Sequence, residues 1–192
     1  MSHQIDTVHW FSGLPHPRTV VANGGIYQWK DGRTNADTLT VVFDYGPADM
    51  SSGFQVQFTS RFSNSAGETK ELYYSNGGMI NLDTNEITDT GGLRDREAKA
   101  MGMTANLLKP FKLEGEKVAT DANTGGDGLT FNHVKNWMEC VRSRKTPNGP
   151  IEAGYQHSIA TIMSNAAYRT GLKVTFDEKT QEVMAGGKVF KY

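Results

Sequence analysis

Apolar residues recur along this chain with two different periods. Between Gln4 and Phe11, the residues Ile5, Val8 and Phe11 fall at helical spacing with Trp10 beside them, and Gly13 follows as a stop signal. The spacing predicts a short helix that begins almost at the first residue. The pattern then changes to short runs rich in β-branched and aromatic residues, Thr19 to Tyr27, Thr38 to Tyr45, Phe54 to Phe62, Glu71 to Tyr74 and Met79 to Leu82, which read as strands. Leu39, Val41, Phe43 and Tyr45 share one face of their strand, and Phe54, Val56, Phe58 and Phe62 share one face of the next. The opposite face carries Thr40, Asp44, Gln55, Gln57, Thr59 and Arg61, and a sheet apolar on one side and polar on the other points to antiparallel architecture.

Turn chemistry separates these runs at Asn23-Gly24-Gly25, Lys30-Asp31-Gly32-Arg33, Asn76-Gly77-Gly78 and Thr90-Gly91-Gly92. From Gly91 to Gly128 the periodicity is weak, with one helical turn expected near Asp95 to Met101. Phe131, Val134, Trp137, Met138 and Val141 then form an apolar stripe on a helix from Thr130 to Arg144, with Thr130 as its expected N-cap. After Pro147-Asn148-Gly149-Pro150 a second helix carries Tyr155, Ile159, Ile162, Met163, Ala166 and Ala167 and stops at Gly171. A strand from Leu172 to Phe176 and an amphipathic tail with Val183, Val189 and Phe190 finish the chain. The expected fold is α+β, an open, mostly antiparallel sheet with both long helices packed on one face, in a single domain spanning 1–192.

Composition narrows the function classes. The chain has 192 residues, with 20 Lys plus Arg against 21 Asp plus Glu, a formal charge of −1. That balance gives no electrostatic footprint for nucleic acid or an anionic membrane surface, so neither is expected as a partner. Cys140 is the one cysteine, which excludes an internal disulfide and argues against a cysteine-based zinc site. No apolar run approaches the roughly 20 residues that span a bilayer, and Met1-Ser2-His3-Gln4 is unlike a signal peptide. The cytoplasm is the favoured compartment, with export of a longer parent left open. A nucleotide-dependent enzyme with separate cofactor and substrate domains usually needs about twice this length.

Among the 21 glycines none builds a G-x-G-x-x-G or G-x-x-x-x-G-K-[ST] motif, and Gly125-Gly126-Asp127-Gly128 reads as a turn, so no cofactor site is expected in this chain. His3 and Asp6, three apart on the first helix, suit a carboxylate-oriented general base or a pair of metal ligands, although a histidine so placed is more commonly a solvated or capping side chain. His9, His16, His133 and His157 read as structural or surface residues. No metal-ligand spacing joins the histidines, and no metal is expected. Trp137 and Met138 are expected in the core. Trp10, Tyr27 and Trp29 lie close to turns, where an aromatic stacks on a sugar ring or caps the sheet, and Arg61 on the polar face suits an anionic ligand, a partner chain or plain solvation.

Several ordered segments resemble the carboxyl-terminal domain of the glucose-fructose oxidoreductase, inositol dehydrogenase and related NAD(P)-dependent sugar oxidoreductases, the Gfo/Idh/MocA family. They are His3-Gln4-Ile5-Asp6 with Trp10, His16-Pro17-Arg18-Thr19-Val20-Val21-Ala22, Trp29-Lys30-Asp31-Gly32-Arg33, Ser60-Arg61-Phe62, His133-Val134-Lys135-Asn136-Trp137, Cys140 to Pro147 and Asn165 to Gly171. The resemblance implies an amino-terminal Rossmann domain for NAD or NADP, followed by an α/β domain that shapes the sugar site and forms the oligomer interface through its exposed sheet face. It implies that His3 matches the family's proton-transfer histidine, while the acidic residue four positions earlier would precede Met1 and the family's lysine belongs to the other domain.

The expected function is therefore a substrate-binding and oligomerisation domain of a sugar or polyol oxidoreductase, not catalytic alone. His3 is the vestige of its acid/base group or depends on the missing domain, with Asp6, Trp10, Trp29 and Arg61 toward substrate. A homodimer through the face of Gln55, Gln57, Thr59 and Arg61 is expected. The alternative is a free-standing carbohydrate-binding or scaffold protein, motivated by Trp10, Tyr27, Trp29 and Arg61.

Overall fold

A computed structural model describes residues 1–64, 66, 69–105, 107–113 and 128–191. The elements in chain order are α1 (Ser2–Ser12), β1 (Thr19–Gly25), β2 (Thr38–Tyr45), β3 (Phe54–Arg61), β4 (Leu72–Ser75), β5 (Gly78–Asn81), β6 (Glu86–Thr88), α2 (Asp95–Ala100), β7 (Phe111–Lys112), α3 (Gly128–Ser143), α4 (Ile151–Thr170), β8 (Val174–Asp177), β9 (Glu182–Ala185) and β10 (Lys188–Val189). They form two compact units, Met1–Ser65 with Ala122–Tyr192, and Ala66–Asp121.

The first unit is built on a six-stranded sheet of order β10-β9-β8-β1-β2-β3, antiparallel at every pairing. Register follows the side-chain alternation. Val20, Phe43 and Val56 align across β1, β2 and β3, as do Ala22, Val41 and Phe58. Val20, Val41, Phe43, Tyr45 and Val174 are buried on this face. A one-residue slip would turn this apolar set to solvent, so burial of one face holds the register. Helix α4 packs across β1, β8 and β9 and against α1. Ile159, Ala160, Met163, Ala166 and Ala167 of α4 and Ile5 and Val8 of α1 are all buried in this core. Both helices end where the sequence places a glycine, Gly13 at φ 67° and Gly171 at φ 68°, left-handed positions where glycine carries no Cβ penalty.

The second unit holds the antiparallel sheet β4-β5-β6-β7 and the short helix α2. Strands β4 and β5 match predicted runs, and α2 falls within the expected turn. β6 and β7 escape the sequence reading because they are three and two residues long, too short to establish a period. The segment Gly125 to Asp127 of the glycine cluster lies outside the described residues.

Three expectations need correction. Helix α3 begins at Gly128, so Thr130 lies inside its first turn and is not the N-cap. Its apolar stripe does not enter the core: Phe131 is 65% exposed and Trp137 57%, with Val134, Met138 and Val141 exposed as well. Only α1 and α4 cover the apolar sheet face among the described elements; α3 is exposed along most of its length, and its Asn136 Oδ1 accepts the amide of Asn148, in the loop that follows the helix, at 2.8 Å. Phe62 lies beyond β3 and is exposed, since the strand ends at Arg61. The fold as a whole is α+β with open antiparallel sheets, and no described helix is long and apolar enough to cross a membrane.

Candidate functional site

Helix α1 has two chemically different sides. Ile5, Val8 and His9 face inward, while His3, Asp6 and Trp10, at positions i, i+3 and i+7, are all exposed. The structure thus puts three of the five candidate residues on one solvent face of one helix. Trp10 is 80% exposed and its ring lies 5.5 Å from that of Phe11.

The histidine that the fold does enclose is His9. Its Nε2 is 2.9 Å from the Tyr45 hydroxyl, and the two rings meet edge to face at 5.7 Å. Its Nδ1 is buried with no hydrogen-bond partner among the described residues. Burial lowers the His9 pKa to about 4; Asp6 opposes that shift, and His157 and His16 add to it. Burial likewise pushes the Tyr45 phenol above its usual value. His9 is neutral at pH 7 and works as a packing residue. His16 is also structural, with Nδ1 3.0 Å from the Pro17 carbonyl, Nε2 3.2 Å from Glu178 Oε1, and its ring against Phe176.

Trp29 belongs to a second group, organised by a residue the sequence reading passed over. Asp37 is 1% exposed, and its carboxylate accepts the consecutive amides of Tyr27, Gln28 and Trp29 at 3.1, 2.8 and 3.0 Å, together with the Thr38 hydroxyl. These bonds hold the carboxyl below its ordinary range, the Trp29 amide being the largest cause. The Asp37 backbone also accepts from the Phe62 amide and donates to the Gly25 carbonyl. One side chain and its peptide groups therefore tie the ends of β1 and β3 to the loop between β1 and β2.

On that base Tyr27 and Trp29 are exposed, the Trp29 indole N–H donates to the Phe62 carbonyl at 3.4 Å, and the Arg33 guanidinium lies 5.6 Å from the Trp29 ring centre. Asp31 grips Arg33 through two bonds of 2.8 and 2.7 Å, which hold the Asp31 carboxyl well below its usual range. Asp31, Gly32, Arg33, Asn35, Ala36 and Phe62 line an open depression of about 500 Å³. Arg61, the last residue of β3, pairs in register with Thr38 next to Asp37. Trp29 and Arg61 are thus collected at one end of β2, whereas His9 holds α1 to Tyr45 at the other, about 23 Å away at strand rise.

Sequence reasoning missed Arg33, Asp37 and Phe62 as members of this group. The available signal was local: Asp37 stands between a turn and a β-branched strand, a position where aspartate often captures nearby backbone amides.

Every strand pairing among the described residues is antiparallel, unlike the parallel sheet of a dinucleotide-binding fold. Among them no three histidine, cysteine or acidic side chains gather as a metal site. The chain matches no protein-family model and shows no significant similarity to a curated protein.

Proposed function

We propose that this chain is the substrate-binding and oligomerisation domain of an NAD(P)-dependent sugar or polyol oxidoreductase, with the cofactor held by a separate nucleotide-binding domain. The observation that carries the reading is the shared solvent face of His3, Asp6 and Trp10 on a helix anchored to the core by Ile5, Val8 and His9. Such a face offers an imidazole for proton exchange with a substrate hydroxyl, a carboxylate to orient it, and an indole to rest against the carbon skeleton. Trp29 and Arg61, at the opposite end of β2, are too distant to touch the same sugar ring and meet an extension of the substrate or a second ligand. Hydride transfer to a nicotinamide belongs to the cofactor; the role of these residues is binding, orientation and the hydroxyl proton.

The exposed sheet face supplies the oligomer contact. Val21, Val42 and Gln57 lie side by side across β1, β2 and β3, flanked by Asn23, Thr40 and Thr59. Val21 is 42% exposed on this otherwise polar surface, which suits a wet interface with a small apolar centre.

Titration of the isotope-labelled chain with myo-inositol and with methyl glucosides tests the reading. Saturable shifts of the His3 ring, Asp6 and Trp10 signals are expected. A free-standing carbohydrate-binding protein, favoured by the aromatic group around Trp29, becomes the better reading if sugar moves only residues remote from α1.

A further inference from the structure

We infer that the loop between β1 and β2 is a preorganised docking platform for an uncharged pyranose or polyol, built by Asp31, Arg33 and Asn35 with the aromatic rings of Tyr27, Trp29 and Phe62. This rests on the ligand-binding part of the reading above and specifies the chemistry recognised at its Trp29 end, where the paired Arg33 is the working arginine.

The loop is held in place before any ligand arrives. A loop that presents aromatic side chains binds well only if ordering them costs little at the moment of binding. Here the order is built in. Asp37, almost completely buried, fixes three successive amides, and its backbone joins Gly25 and Phe62 on the flanking strands. The Tyr27 ring rests on Gly25: a Cβ placed there would come within 3.0 Å of it, so the glycine makes room for that ring position. Arg33 lies over one side of the indole and is itself gripped by Asp31, which leaves two long side chains already immobilised.

The polar groups of the depression balance donors and acceptors. The depression is lined by a carboxylate, which accepts, a guanidinium, which donates, and an amide, which does both. Hydroxyl groups also donate and accept, so a polyhydroxylated ligand can satisfy all three. Phe62 lines it, the exposed Trp29 is tied to Phe62 through its indole N–H, and Tyr27 is exposed on the same loop; electron-rich ring faces of this kind attract the polarised C–H bonds of a sugar ring.

Charge decides between ligand classes. Residues 26–37 carry two cations, Lys30 and Arg33, and two carboxylates, Asp31 and Asp37, and so are formally neutral. Arg33 is neutralised by Asp31 at hydrogen-bond distance, and Lys30 donates to the Ile26 carbonyl. An anionic ligand would have to displace Asp31 or accept its repulsion, whereas a neutral one meets the pair intact.

The test follows the three indole N–H signals of the labelled chain, from Trp10, Trp29 and Trp137, during titration with methyl β-D-glucopyranoside, and in parallel with D-glucuronate. The expected result is a saturable movement of the Trp29 indole signal and of the Gly32 and Asn35 amides, at a dissociation constant of about 1–10 mM, with Trp137 unmoved. Trp29→Ala is expected to weaken binding at least about tenfold, and Arg33→Gln, which leaves the Asp37 hub untouched, by about three- to tenfold. Trp137→Phe is expected to leave affinity unchanged. The inference is overturned if Trp29 stays still up to about 50 mM sugar, where such a site would be filled, or if all three indoles move together. It is also overturned if glucuronate binds more tightly than the glucoside. Movement of Trp29 with His3 and Asp6 unaffected upholds the platform and removes the role given to α1, and the opposite pattern does the reverse.

Discussion

Single residues in this protein divide into those that hold the fold and those presented to solvent, and pH separates them. His9 is neutral in the folded state because burial lowers its pKa from 6.5 to about 4. The unfolded chain therefore takes up this proton first as pH falls. Stability from this group is full above about pH 6.5, declines between 6.5 and 4, and is level below. Thermal unfolding across that window is expected to show the decline, and His9→Gln, whose amide still reaches the Tyr45 hydroxyl, should flatten it. Asp37 has the opposite character: its carboxyl is lowered from 3.8 by the amides it accepts, so its contribution is present above pH 3.8 and is lost as pH falls through the lowered value. Asp37→Asn turns one accepting oxygen into a donor facing an amide N–H. It is expected to lower Tm at neutral pH and to shift Trp29 fluorescence toward that of a freely solvated indole, with β1–β2 pairing retained in the amide spectrum.

At the scale of elements, α3 and α4 look alike in sequence and are used differently. Both carry apolar residues at helical spacing, and the sequence supports the same prediction for each. Helix α4 buries Ile159, Met163, Ala166 and Ala167 against the sheet, while the stripe of α3 stays in solvent. The consequence is measurable. Phe43→Ala on β2 is expected to cost about 3–5 kcal/mol, because a fully buried ring is replaced by a cavity. Trp137→Ser on α3 should change stability by no more than about 0.5 kcal/mol in denaturant unfolding, since it removes no packed neighbour from the core. Strands β1, β2 and β3 were legible because seven- and eight-residue runs establish a period of two, and β2 begins and ends where the alternation does. The short strands β6 and β7 were not legible, because pairing of β6 with β5 and of β7 with β6, rather than any intrinsic pattern, makes them strands.

For the whole molecule, the decisive feature is that among the described elements helices cover only one face of the large sheet. Its other face is the proposed homodimer contact, and light scattering is expected to give twice the 21.1 kDa chain mass at high protein concentration. Val21→Lys, at the apolar centre of that face, should convert the dimer to a monomer without changing the circular dichroism spectrum. A wild-type monomer under these conditions would exclude the interface. The candidate ligand surfaces are anchored at the two ends of β2, with α1 at Tyr45 and the Trp29 loop beside Thr38.

The sequence by itself determined the α+β class, the antiparallel character of the main sheet, and the ends of α1 and α4. Each follows from local periodicity and from glycine's access to left-handed backbone. It also placed His3 and Asp6 on one helix face, because spacing along a helix is geometry; the structure adds Trp10 to that face. Tertiary structure alone decided that His9 is enclosed by Tyr45, that the stripe of α3 stays outside the core, and that Asp37 gathers a loop ten residues upstream into an aromatic platform. Those outcomes depend on which surfaces meet after the chain has folded. The alternation and spacing of residues state only what each surface has to offer.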